Sequence, residues 1–167
     1  HVVMPPAQPF MPSSGGPGPY LEGGDIICYK HHLFVGESDI ASNRAGTEWL
    51  RTYIEPYGYT VHPMPMKGTV LHLLGIMVLV CEGVLLLFRD ELDCELPAPL
   101  RDWDVIELSE DEARAFATVG VSLDDKRYVM PSHLGRVAEE LTRRGVEPIE
   151  VDYDHVSYWG GCVSCST

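Results

Sequence analysis

The sequence predicts a repeated α/β module. Short β-forming runs alternate with amphipathic helical stretches, the alternation returns after about 40 residues, and turn and capping residues mark each change. At 167 residues, the chain is long enough for one compact unit with a real core. Apolar residues make up 45% and charged residues 22%, ordinary globular usage that argues against wholesale disorder or a fibrous architecture.

Residues 1–20 read as a loop or linker: Pro5-Pro6, Pro12-Ser13-Ser14-Gly15-Gly16-Pro17 and Gly18-Pro19 supply turn chemistry and no periodicity. Residues 21–167 form the ordered part. Asp25–Tyr29 and Leu33–Val35 are β-like runs around a polar Lys30-His31-His32 tip, which predicts a hairpin. Ser42 or Asn43 can cap a helix reaching Ile54, because Trp49, Leu50, Tyr53 and Ile54 recur at helical spacing and Pro56 and Gly58 stop it. A strand follows over Tyr59–Met64.

Val70–Phe88 is the most apolar stretch and approaches membrane-spanning length. His72, Glu82 and two glycines interrupt it, and Glu82-Gly83 separates two β-forming runs, Ile76–Cys81 and Val84–Phe88. It therefore reads as a buried hairpin. Val105–Leu108 is the next strand, and Ser109-Glu110-Asp111-Glu112 is a capping-box pattern opening a short helix. Arg127–Met130 is a strand, Ser132 caps a helix whose Leu134, Val137, Ala138 and Leu141 share one face, Gly145 ends it, and Val146–Asp152 is a last strand.

A formal net charge of −13, from 25 acidic against 12 basic residues, opposes binding to a phosphate backbone or an anionic membrane and suits a small cationic substrate. The five cysteines do not read as a secreted disulfide framework, and no signal peptide is legible at the start, so reduced thiols in the cytoplasm are expected.

Four groups of residues can carry chemistry. In Tyr20-Leu21-Glu22-Gly23-Gly24-Asp25, two carboxylates flank a glycine pair before a strand; this is either an ordinary turn or a device that aims acids into a cavity. His72, in Val70-Leu71-His72-Leu73-Leu74, is a core histidine on a strand or a proton-transfer group. In Trp159-Gly160-Gly161-Cys162-Val163-Ser164-Cys165-Ser166-Thr167, Cys162 and Cys165 have the spacing of metal ligands or of a redox pair. Structural zinc needs four ligands, however, and no second pair exists. Gly36–Gly46, with Ser42, Asn43 and Arg44, is a polar helix start.

In order and spacing, these four elements resemble the guanidine-modifying (pentein) superfamily, which includes amidinotransferases, arginine deiminase and dimethylarginine dimethylaminohydrolase. The resemblance covers about residues 20 to 167. Gly46-Thr47-Glu48-Trp49-Leu50-Arg51 and Leu123-Asp124-Asp125-Lys126-Arg127 look amidinotransferase-like. The resemblance implies a β/α propeller of pseudo-fivefold ββαβ modules, of which this chain carries the later ones. A companion N-terminal fragment or chain, or a homo-oligomer, is then expected to cover the open edges.

It further implies that Cys165 is the nucleophile, His72 the general acid and base, and Asp25 the carboxylate orienting histidine or guanidinium. Glu22, Gly24, Asn43, Arg44 and Gly161 are implied at the substrate. The expected reaction is attack on the guanidino carbon of an arginine-like substrate, then amidino transfer to an amine acceptor, with hydrolysis of the guanidine as the alternative and a non-catalytic subunit or binding module as the alternative of another class. Leu74 stands where amidinotransferases and arginine deiminases usually carry an aspartate, a feature shared with dimethylargininase-like members. No cofactor, metal, nucleic acid or membrane is expected.

Overall fold

The computed structural model describes residues 18–158 and 160–166, and side chains through Cys165 apart from Trp159. Most of the 1–20 linker, together with Trp159 and Thr167, lies outside the described residues. The elements are β1 (Ile26–Tyr29), β2 (His32–Glu37), α1 (Arg44–Ile54), β3 (Thr60–Pro65), β4 (Met77–Cys81), β5 (Val84–Leu87), β6 (Asp104–Glu107), α2 (Glu110–Arg114), β7 (Val121–Asp124), β8 (Arg127–Pro131), α3 (Gly135–Arg143), β9 (Glu147–Val151) and α4 (Asp154–Ser157). Length predicts one compact unit, but contacts divide the chain into two. The first comprises residues up to Leu74 with Asp90–Pro99, and the second Gly75–Arg89 with Leu100 onward.

Among the described residues the strands form three sheets of three, β1-β2-β3, β4-β5-β6 and β7-β8-β9. Each is an antiparallel hairpin joined by a crossover to a third strand parallel to the second. The predicted repeat is thus present three times as one pairing rule. The crossover is helical in the first and third sheets, through α1 and α3, whereas no α-helix lies between β5 and β6.

In the first unit, β2 pairs β3 in register from His32 opposite Thr60 to Glu37 opposite Pro65. Leu33, Val35 and Val61 point to one face, where Leu50 and Ile54 of α1 pack with Leu21 and Ile26. Burying aliphatic side chains of this size contributes ~1.5–3 kcal/mol each. Asn43 caps α1, as its sequence position predicts.

In the second unit, the apolar stretch folds as the β4–β5 hairpin, with Leu85, Leu86 and Leu87 fully buried. Among the described residues no helix is long and apolar enough to cross a membrane. The Ser109–Glu112 capping box forms as predicted. Ser132 does not cap α3: the helix starts at Gly135 after Leu134, without a side-chain cap, and the Ser132 amide instead donates to the Val151 carbonyl. Pairing between β8 and β9 claims that amide before the helix begins.

Candidate active site

The sequence places Glu22-Gly23-Gly24-Asp25 directly before β1, and the backbone there closes a single 3-10 turn, Gly23–Asp25, before entering the strand. The start of α1 holds this turn. The Asn43 side chain accepts the amides of Gly46 and Tyr20 at 3.0 and 3.2 Å, while the Ser42 hydroxyl accepts the Glu22 amide at 2.9 Å. Gly46 lets the two segments meet, since a Cβ there would lie 1.8 Å from the Tyr20 carbonyl oxygen. Asn43 thus acts as cap and anchor, and Arg44 opens the helix with an exposed side chain.

His72 does not lie on a strand. Residues 69–72 form an irregular loop running into a 3-10 turn, Leu73–Gly75. Its backbone groups are taken by side chains remote in sequence. The Glu91 carboxylate accepts the Thr69 amide, the Thr69 hydroxyl and the Val70 amide at 2.6, 2.5 and 3.2 Å. The Ser38 hydroxyl donates to the Leu71 carbonyl at 3.2 Å, and the Leu73 amide donates to Asp25 Oδ1 at 2.8 Å. An apolar run of this kind would pair as a strand only if its amides were free for a ladder.

The loop delivers the His72 ring to Glu22, with Nε2 2.7 Å from Oε2. An ionised carboxylate only accepts, so Nε2 carries the proton in this contact and Nδ1 is left with its lone pair when the ring is neutral. The pair is half-exposed, at 28% for His72 and 52% for Glu22. It therefore stabilises the fold by no more than about 1 kcal/mol, and its main effect is to fix ring and tautomer.

Asp25 is fully buried beside this pair and hydrogen-bonds the residue after His72 rather than the ring. Burial pushes its carboxyl above the usual range, offset in part by Ser42, by the Leu73 amide and by His72. The structure therefore brings Glu22, Gly24, Asp25 and His72 into one cluster, backed by Asn43. Sequence reasoning missed the part played by Glu91 and Ser38, whose partners in the His72 loop lie 21–33 residues away and leave no local pattern.

Gly161 and Cys165 belong to the second unit. Cys165 sits on the 3-10 turn Val163–Ser166 with its side chain exposed, and its amide donates to the Cys162 carbonyl at 3.0 Å. Cys162 is fully buried against Val119 and Val163, and burial pushes its thiol up. All five cysteines are free thiols. The two cysteines of the motif thus differ sharply: one is packed and the other is open to reagents. Among the described residues no three histidine, cysteine or acidic side chains gather as a metal site.

No family model matches the sequence. The chain is 28% identical over 145 residues to a dimethylarginine dimethylaminohydrolase of Pseudomonas aeruginosa, a match covering 87% of this chain and 54% of that protein. It spans about half the length of the curated relatives it matches. A solved structure of the Pseudomonas aeruginosa enzyme, complexed with citrulline, superimposes with a TM-score of 0.69 at 26% identity, covering 86% of this chain and 52% of that one. The inosamine-phosphate amidinotransferase of Streptomyces griseus gives a TM-score of 0.78 at 18% identity, covering 90% and 46%. With its thrice-repeated hairpin-and-crossover sheets and these likenesses, the chain has the fold of the guanidine-modifying, or pentein, enzymes and resembles them in sequence.

Proposed function

We propose that this chain carries the thiol and the proton-transfer pair of an enzyme that attacks the guanidino carbon of an arginine-like substrate. A guanidinium spreads its charge by resonance and is a poor electrophile, so the reaction needs a thiolate and a positioned acid. Cys165 forms the C–S bond, one C–N bond of the substrate breaks, and His72 delivers a proton to the departing amine. His72 then takes a proton from the molecule that cleaves the C–S bond. Glu22 orients the ring through Nε2, a role the resemblance implies for Asp25; Asp25 acts one step back, on the backbone of Leu73. The Glu22–His72 contact over Gly24 is the observation that carries this reading.

Water is the favoured acceptor. Leu74 matches the hydrolase-like pattern, and the relatives of stated activity at 28% identity are dimethylarginine dimethylaminohydrolases. Amidino transfer to an amine is the second reading, motivated by the amidinotransferase-like sequence features.

The test is to incubate the protein with arginine or dimethylarginine, quench in acid and weigh it. An adduct on Cys165, absent from Cys165→Ala, together with amine and citrulline release without an added acceptor, is expected. Adduct with one equivalent of released amine per protein, and no further turnover until an amine acceptor is supplied, would select transfer. No adduct and no turnover with either guanidine would overturn the proposal.

A further inference from the structure

Glu91 is an acid in the wrong place for a surface residue: only 3% exposed, in the same unit as His72. Its carboxylate makes three hydrogen bonds, all to Thr69 and Val70. Backbone pairing fixes the segment that carries it, since the Glu91 carbonyl accepts the Lys67 amide at 2.9 Å and the Asp93 amide donates to the Pro65 carbonyl at 2.9 Å. The Lys67 ammonium also bonds the Asp90 carbonyl. Glu91 is thus held from both sides and holds, in turn, the two residues at the root of the His72 loop.

We infer that Glu91 is a positioning residue for the proposed reaction, setting where His72 stands by clamping the loop two residues before it. The reasoning is geometric. Between Gly68 and Leu73 the backbone makes no strand pairing, and the hydrogen bonds that hold it come from the side chains of Ser38, Asp25 and Glu91. Ser38 holds Leu71 and Asp25 holds Leu73 by one bond each, while Glu91 supplies the other three. Without the clamp, the Nε2–Oε2 contact at 2.7 Å would depend on a loop held only by the single bonds of Ser38 to Leu71 and of Asp25 to Leu73. Misplacing a catalytic group by about 1 Å can cost about a hundredfold in rate.

This inference rests on the proposed function for its catalytic meaning, so its test reads the ring directly as well as turnover. The His72 Nε2 proton is followed by nitrogen-edited NMR, assigned by its loss in His72→Gln, with Glu22→Ala as the released-ring reference. Glu91→Met removes every acceptor at similar volume. Its ring proton is expected to exchange with water at least tenfold faster than in wild type and to move toward the Glu22→Ala position. Glu91→Gln keeps one oxygen for the two amides and can donate to the Thr69 hydroxyl, so it should stay within about twofold of wild type.

In turnover, Glu91→Met should lose at least tenfold in kcat with KM within about threefold, and Glu91→Gln should recover most of that loss. Should Glu91→Met fail to fold, Thr69→Val, which deletes only the hydroxyl bond, should still speed ring-proton exchange about threefold. An unchanged ring proton in Glu91→Met, or in Thr69→Val where the former does not fold, overturns the inference. So does a Glu91→Gln protein as perturbed as Glu91→Met, which would assign the effect to charge. If wild type turns over no guanidine, the proposed function fails while the ring measurement still decides whether Glu91 holds His72.

Discussion

Gly24 lies beneath the His72 ring so closely that a Cβ added to it would fall 2.7 Å from both Cγ and Nδ1. The second glycine of the pair is therefore a floor for the imidazole. Its backbone needs no left-handed conformation, so only the ring's approach demands glycine.

Gly24→Ala is thus expected to push the imidazole off Glu22 while leaving the 3-10 turn intact. Turnover should fall at least tenfold, because the displaced group is the proposed acid and base. The melting temperature should move by only a few degrees, because the exposed pair adds little stability. Thermal melts beside amine-release assays check this, and full activity in Gly24→Ala would contradict the ring placement.

Burial raises the Asp25 carboxyl above its ordinary value of 3.8, and the sign of the pH effect follows. A raised acid holds its proton longer in the folded state. Its contribution is most favourable below the unfolded value and is lost as pH climbs through the raised one. Above that, the folded protein carries a buried charge at a cost. Asp25→Asn keeps an oxygen for the Leu73 amide and removes the charge. It should melt above wild type at neutral pH, with the gap closing as pH falls toward 3.8. Melts across that range test it, and a gap independent of pH would exclude the buried charge as its source.

Much of this was legible in the sequence because it is local. The β1–β2 and β4–β5 hairpins, the Asn43 cap and the Ser109 capping box each depend on residues within a few positions. The His72 loop was not, because Val70-Leu71-His72-Leu73-Leu74 has β-forming composition and nothing in it reveals that Glu91 and Asp25 will take its amides. That Glu22 rather than Asp25 contacts the His72 ring has the same origin. Both flank the glycine pair, and only the turn decides which one faces the ring.

Glu112 joins the capping box to Arg136, whose guanidinium, with the Ser109 amide and hydroxyl, holds its carboxyl down at about 2. A depressed acid contributes stability above its unfolded value of 4.5 that disappears as pH falls toward 2. Glu112→Ala should cost ~1–2 kcal/mol at neutral pH, the scale of a lost cap. In denaturant titrations the difference from wild type should shrink steadily once pH drops below 4.5. A difference that persists undiminished in acid would show that packing, not the ion pair, is what the substitution removes.

Two readings of Asn43 make opposite predictions. The resemblance puts it at the substrate, whereas the structure has its side-chain oxygen accepting the Gly46 and Tyr20 amides. Asp supplies the same oxygen and is as good an N-cap as Asn, whereas Ala supplies none and costs ~1 kcal/mol or more. If the residue works as cap and anchor, Asn43→Asp should retain wild-type stability and KM. Asn43→Ala should lose stability, with turnover falling as Glu22 loosens behind the freed Tyr20. If its amide instead touches substrate, Asn43→Asp should raise KM severalfold with the melt unchanged. Because Asp preserves the oxygen and removes only the donating NH2, comparing KM and melting temperature in this one variant separates the two readings.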